Sequence, residues 1–233
     1  MDYPLRVRVF LLALNFFPLL HVASLIILWR SEPEWIPGAR MAVSAGWLYL
    51  LPPALARLTS AICGVPDGSH AVSSRAFLGW WAMAQYQMLF NRLPFLEEGM
   101  RLVPGLYSLW LRLWGSRIGR LTFWSPGVSV LDRGYLDIGN DVVLATGVRL
   151  NGHVLHRNKQ GELELALARI RIGEGATIGG YSLLTAGTEI APGEATKAYL
   201  LSPPFTRWRD GKRIRGGEVN AEVDHHHPID GNL

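Results

Sequence analysis

Cysteine is almost missing from this chain of 233 residues. Cys63 stands alone, which excludes a disulfide framework and any zinc or iron–sulfur site built on several cysteines. Charge is scarce too: Asp, Glu, Lys and Arg make up 18 % of residues against 49 % hydrophobic types, the opposite of the balance that keeps a chain disordered. Lysine is rarer still, three residues against twenty arginines. A net charge of +4 is too small and too dispersed for a nucleic-acid partner; it suits a surface meeting anionic lipid or a phosphorylated ligand. There is no Walker loop, dinucleotide fingerprint or serine-nucleophile elbow.

Acidic residues are missing chiefly from the first half. Residues 1–117 hold ten of the 23 Lys and Arg, six of the 19 Asp and Glu, and seven of the nine tryptophans. This half reads as membrane-anchoring; 118–200 reads as a repeat domain and 201–233 as a basic segment with a polar tail. Val9 to Trp29 is a run of 21 residues without formal charge, broken by Asn15, Pro18 and His21. About 20 apolar residues cross a bilayer core as a helix, and no small-residue cleavage site follows, so a retained anchor is expected. A second run, Met41 to Cys63, carries Pro52-Pro53 and Arg57. It reads as a return helix bent at the prolines, joined to the first by a turn over Ser31–Gly38. From Ser74 to Gly115, apolar residues at three-to-four spacing beside arginines describe interfacial helices. A core helix of a globular domain is the competing reading, and a third span at 76–96 would move the C-terminal part across the bilayer. With two spans, the arginine distribution puts both termini in the cytoplasm. The expected location is the bacterial inner membrane, with the C-terminal repeat domain on its cytoplasmic side.

A six-residue period begins at Ile118. Blocks open at Ile118, Trp124 and Val130, then at Ile138, Leu144 and Leu150, then at Ile172, Ile178, Leu184 and Ile190. All but Trp124 are Ile, Leu or Val, the fifth position is usually small or β-branched (Thr122, Val128, Val142, Val148, Val154, Ala176, Ser182, Thr188), and Gly follows the opener at 119, 139, 173 and 179. Short strands between tight turns would wind into a prism, with the openers stacked inside and Gly supplying the turns. An antiparallel sandwich would show a period of two instead.

These blocks resemble the repeats of the hexapeptide-repeat acyltransferases. The resemblance implies a left-handed parallel β-helix, whereas the general rule for parallel crossovers gives the opposite hand. The lead-in Leu106–Gly119 followed by Leu136–Gly139 is similar to the membrane-linked hexapeptide domains that end poly-lysine-type peptide synthetases. The fold expected is therefore a set of N-terminal membrane helices, a spanning hairpin plus interfacial helices, followed by a short left-handed β-helix.

The six-residue register breaks after Leu150, and Asn151 to Arg169 leaves the prism carrying His153 and His156. In the xenobiotic and sugar acetyltransferase branch of that family, a histidine stands at the root of such an excursion, ahead of a Gly-Glu stretch and paired Ile-Gly hexads. His153, Gly161-Glu162, Ile172-Gly173 and Ile178-Gly179 follow this order, with Val154 where the family often has proline. The resemblance makes His153 the general base of thioester-dependent acyl transfer, with His156 the second candidate. A neutral imidazole can take the acceptor's proton near neutral pH, and a backbone N–H on a coil rim would serve the oxyanion. Asn151 is a candidate for binding acceptor or donor, and Glu162 or Glu164 for orienting the imidazole. Arg207, Arg209 and Lys212, with Arg213 and Arg215, suit the phosphates of coenzyme A or of a carrier's phosphopantetheine; lying on anionic lipid is their other reading. His225, His226 and His227 read as a solvated tail.

No bound cofactor or metal is expected; an acyl-CoA or an acyl carrier protein is the co-substrate. The resemblance further implies a homotrimer, with the thioester arm between adjacent prisms, although the helices or the C-terminal segment could supply the second wall. Two other functions compete: a non-catalytic β-helix scaffold of a membrane enzyme complex, and a zinc enzyme of the γ-carbonic anhydrase type, which needs three spaced histidines.

Overall fold

The computed structural model describes residues 4–31 and 38–214. Arg215, His225, His226, His227 and positions 32–37 of the expected turn lie outside the described residues. The chain opens with helices α1 (Leu5–Asn15), α2 (Phe17–Ser31) and α3 (Ala39–Cys63). The single helix expected over Val9–Trp29 is instead two helices meeting at 50°. Pro18 lies in the first turn of α2, where its missing N–H is tolerated, but it could not have donated to Leu14 in a continuous helix. Among the described residues no single helix is both long and apolar enough to cross a membrane, whereas α1 and α2 taken together satisfy that criterion. Pro52 and Pro53 lie inside α3, which runs on as one element. Most large apolar side chains of α1 and α2, among them Leu12, Leu19 and Ile27, face outward, and His21 is the only buried residue of α2.

A short strand, β1 (Gly68–Ala71), precedes α4 (Arg75–Arg92), α5 (Phe95–Arg101) and α6 (Leu106–Trp114). The expectation of interfacial helices over 74–115 needs correction. Trp80, Met83, Phe90, Tyr107, Trp110 and Trp114 are all buried, in one core shared with the β-domain. That wall covers the aromatic face, while Leu106, Leu109, Arg112 and Leu113 of α6 face outward.

The β-domain has three parallel faces, which the chain visits in rotation. The first face takes β2 (Arg117–Ile118), β5 (Leu136–Ile138), β10 (Ile170–Ile172), β13 (Glu189–Ile190) and β15 (Arg207–Arg209), edged by antiparallel β16 (Lys212–Ile214). The second takes β3 (Phe123–Trp124), β6 (Val143–Leu144) and β11 (Thr177–Ile178); the third takes β4 (Ser129–Val130), β7 (Arg149–Leu150), β12 (Leu183–Leu184) and β14 (Leu201–Ser202). Block openers pair with block openers: Ile138 lies beside Ile118 and Ile172, and Leu150 beside Val130 and Leu184. All nine aliphatic openers are buried. Trp124, the exception, is half-buried and donates its Nε1–H to Ser108 Oγ of α6 at 2.9 Å. The stack continues past residue 200 through β14 and β15.

The glycines that follow four of the openers, at 119, 139, 173 and 179, are needed for space, and the turn residue is a different one. A Cβ at Gly119 would lie 2.3 Å from the backbone of Gly139, and one at Gly173 2.4 Å from Pro192 N. The left-handed corner conformations fall two residues later, at Leu121, Asp141 and Gly175.

Candidate functional site

Asp132 sits on the corner between β4 and β5. The openers Val130 and Ile138 are eight residues apart rather than six, so this corner is wider than its neighbours. Ser116 ties it down: its hydroxyl donates to Arg133 O at 2.6 Å and accepts from Leu136 N at 3.0 Å. The excursion after Leu150 is a hairpin, β8 (His153–Arg157) and β9 (Leu163–Leu167), to which β1 adds a third antiparallel strand. Val154 therefore belongs to β8, and not to a prism corner as the six-residue register had it. Gly152 lets this hairpin start against Asp132, since a Cβ there would fall 2.8 Å from Tyr135 Cβ and 3.0 Å from Asp132 Cβ.

The next residue, His153, meets the carboxylate: its Nδ1 lies 2.7 Å from Asp132 Oδ2. Helix α4 completes the arrangement. Ser74 caps it by accepting from Phe77 N. Trp80 on its inner face donates Nε1–H to Asp132 Oδ1 at 3.1 Å and packs its ring 4.7 Å from the imidazole centroid. Gln87, two turns on along the same face, accepts from the backbone N–H of Arg133 at 2.6 Å. One helix thus holds two consecutive corner residues.

Asp132 is 2 % exposed, while the His153 side chain keeps 25 %. Burial alone would push the imidazole pKa down. The hydrogen bond and charge of Asp132 together outweigh that and hold it above its ordinary value. In the neutral ring, Nδ1–H donates to Asp132, so the lone pair is on Nε2. Among the described residues Nε2 has no protein hydrogen bond. The arrangement can accept a proton from a group arriving at Nε2 and stabilise the resulting imidazolium against a fixed carboxylate.

Beside Asp132 lies a buried ion network. Arg133, 1 % exposed, donates Nε–H to Glu97 Oε1 of α5 at 2.7 Å, a second N–H to the same oxygen, and Nη1–H to Asn91 at 2.8 Å. Glu97 also accepts from Tyr107 Oη at 2.8 Å and from Arg101 at 3.4 Å. The Tyr107 hydroxyl is pushed far up by burial and by the Glu97 charge.

The other expected site residues fall elsewhere. His156 is three residues along β8 from His153, hence on the opposite face of the hairpin; it lies across from Glu164, with Nε2 at 3.8 Å from that carboxylate. Glu162 and Glu164 both accept from Asn158 at the hairpin end, so neither orients His153; Asp132 does. Asn151 stands at the foot of the hairpin, its N–H bonded to Leu184 O at 2.9 Å. Arg207 and Arg209 lie on β15, three strands beyond β5 on the first face, ~14 Å at ordinary strand spacing, and Lys212 lies on β16, one strand further. Arg207 binds Glu189 at 2.5 Å. None of the three is brought to His153. Among the described residues no group of three His, Cys, Asp or Glu is placed to hold a metal ion.

No protein-family model matches the chain, and no curated protein matches it. Two solved structures resemble part of it: a hexapeptide-repeat-containing acetyltransferase of Vibrio cholerae, and such an acetyltransferase complexed with acetyl coenzyme A from Vibrio cholerae O1 biovar eltor. Each is 12 % identical with a TM-score of 0.30. The first covers 55 % of this chain and 90 % of its own, the second 53 % and 83 %. A likeness of that size carries no argument about activity.

Proposed function

We propose that this chain is a membrane-anchored acyltransferase, with His153 as general base and Asp132 holding it. The observation that carries the reading is the buried Asp132 carboxylate bonded to His153 Nδ1, which leaves Nε2 as the accepting atom. The hexad resemblance supplies the reaction class, and the three-faced strand rotation supports reading the β-domain as a left-handed parallel β-helix. In the step, Nε2 removes the proton of an acceptor hydroxyl or amine as its oxygen or nitrogen attacks the thioester carbonyl. The tetrahedral intermediate then expels the thiolate, and the imidazolium returns the proton to sulfur. The donor is the thioester of coenzyme A or of a carrier's phosphopantetheine. A second copy of the prism could provide the far wall for its arm.

The test is a thioester assay on purified full-length protein. His153→Ala is expected to lower turnover about 10²–10⁴-fold with folding unchanged, and His156→Ala to leave it near wild type. Wild-type rates in His153→Ala would remove the catalytic role and favour a scaffold. Membrane anchoring is supported by the outward apolar side chains of α1 and α2, a surface of the kind that marks lipid or partner contact. The α1–α2 pair reads as a bent span, with the β-domain on the cytoplasmic side of the bacterial inner membrane. Full-length protein should resist high-salt and carbonate washing of membranes and leave with detergent; recovery in the wash would overturn the anchor.

A further inference from the structure

A cleft of about 520 Å³ opens between the turn joining α5 to α6 and the first circuit of the β-domain. It lies apart from the dyad, since neither Trp80, Asp132 nor His153 lines it. Val103 and Pro104 form one side and Leu121 and Phe123 another, with Arg112 and Arg120 among them and no acidic residue in the lining. Arg101 also lines it, but its charge is met by Glu97 and Glu98 at 3.4 and 2.6 Å. Arg112 donates to the carbonyl oxygens of Ile118 and Gly119 at 2.8–3.2 Å, and neither it nor Arg120 forms a salt bridge among the described residues.

The apolar surface does not stop at the rim. Leu102 and Leu121 are 84 % and 81 % exposed, and Leu106, Leu109 and Leu113 face outward along α6. Neither guanidinium charge is met by a carboxylate among the described residues. An anion resolves that, and guanidinium groups suit phosphate oxygens. Leucine and phenylalanine beside the same arginines favour an anion that carries hydrocarbon. The volume lies within the range of small-ligand sites, about 300–1,000 Å³.

We infer that this cleft binds an anionic phospholipid, its phosphate at Arg112 and Arg120 and an acyl chain along Leu121 and Phe123. The inference does not depend on acyl transfer by His153, and its test in micelles does not depend on membrane insertion. Trp124 lines the cleft, so a lipid with brominated chains should quench its fluorescence. The experiment uses full-length protein in detergent micelles and reads the emission component that Trp124→Phe removes. Brominated phosphatidylglycerol should quench that component saturably, at least ten-fold more effectively than brominated phosphatidylcholine, and unlabelled phosphatidylglycerol should reverse it. Arg120→Gln with Phe123→Ser changes two exposed residues; matched circular dichroism would show the fold intact, and saturable quenching should vanish. Equal quenching by both lipids, or saturable quenching that survives the double substitution, would overturn the inference. So would displacement of the brominated lipid by coenzyme A at micromolar concentration, which would make the cleft a nucleotide site.

Discussion

The inside of the β-domain and its seam with the helices are buried to the same degree and built on opposite principles. Inside, aliphatic openers stack on aliphatic openers from Ile118 to Ile190, and each circuit repeats the packing of the one before. At the seam, Asp132, Arg133, Glu97 and Gln87 are all buried and charged or polar, and each has its own non-repeating set of partners. Repetition spreads stability along an axis. The seam concentrates it in a few groups that cannot be removed singly, because a buried charge is tolerable only while its partners stay. The dyad lies at the meeting of the two, with His153 rising from the repeat domain and Asp132 gripped from α4.

Breaking each side separately exposes the contrast. Ile178→Asp puts an unpaired charge in an interior position that is 0 % exposed, at a cost of several kcal/mol. That is comparable with the whole stability of an ordinary domain. The expected outcome is loss of cooperative unfolding of the β-domain by circular dichroism in detergent; a retained transition within a few degrees of wild type would contradict the stacked interior. Glu97→Ala attacks the seam instead. It strands Arg133, whose main carboxylate partner it removes, and leaves Tyr107 without its acceptor. Breaking a buried pair this way costs about 3–5 kcal/mol. Denaturant titration should show that loss, with Glu97→Gln, which keeps an acceptor, intermediate. A cost below about 1 kcal/mol would mean that the network is solvated.

The same contrast governs what could be read from the residues. The interior was legible because its rule is local: every sixth residue repeats, and the nine aliphatic openers are all buried. His153 stood out at the register break for the same reason. Its partner did not. Asp132 looks like a corner residue, and it lies 21 positions from His153 and 52 from Trp80. The one signal was the eight-residue spacing from Val130 to Ile138, a widened corner that announced something held there. Glu162 and Glu164 were nearer in sequence to His153, yet strand alternation and the hairpin carry them away from it. The aromatic runs of α4 and α6 read by spacing as interfacial helices, with a core helix the competing reading, and only the wall they meet decides between these. The bend at Phe16 had its mark in Pro18, set within an otherwise continuous apolar run.

The smallest expected effect separates the two grips on Asp132. Trp80→Phe keeps a ring against His153 but removes the donor to Asp132 Oδ1, leaving a buried carboxylate oxygen without that bond. A hydrogen bond to a charged group contributes about 1.5–3 kcal/mol, so the fold should survive with a modest loss. The consequence for the site has a sign. With one donor fewer, the carboxylate becomes a stronger acceptor for Nδ1–H and favours the imidazolium, so the His153 pKa, already raised, rises further. The base works when neutral, so the ascending limb of kcat/KM against pH should move to higher pH. Asp132→Asn does the reverse. It removes both the charge and the charged acceptor that raise the pKa, leaving the lowering by burial, so the limb should move to lower pH while the plateau falls. Opposite displacements would show that α4 tunes the base through Asp132. Limbs that coincide in wild type, Trp80→Phe and Asp132→Asn would mean that the proton measured is not on His153.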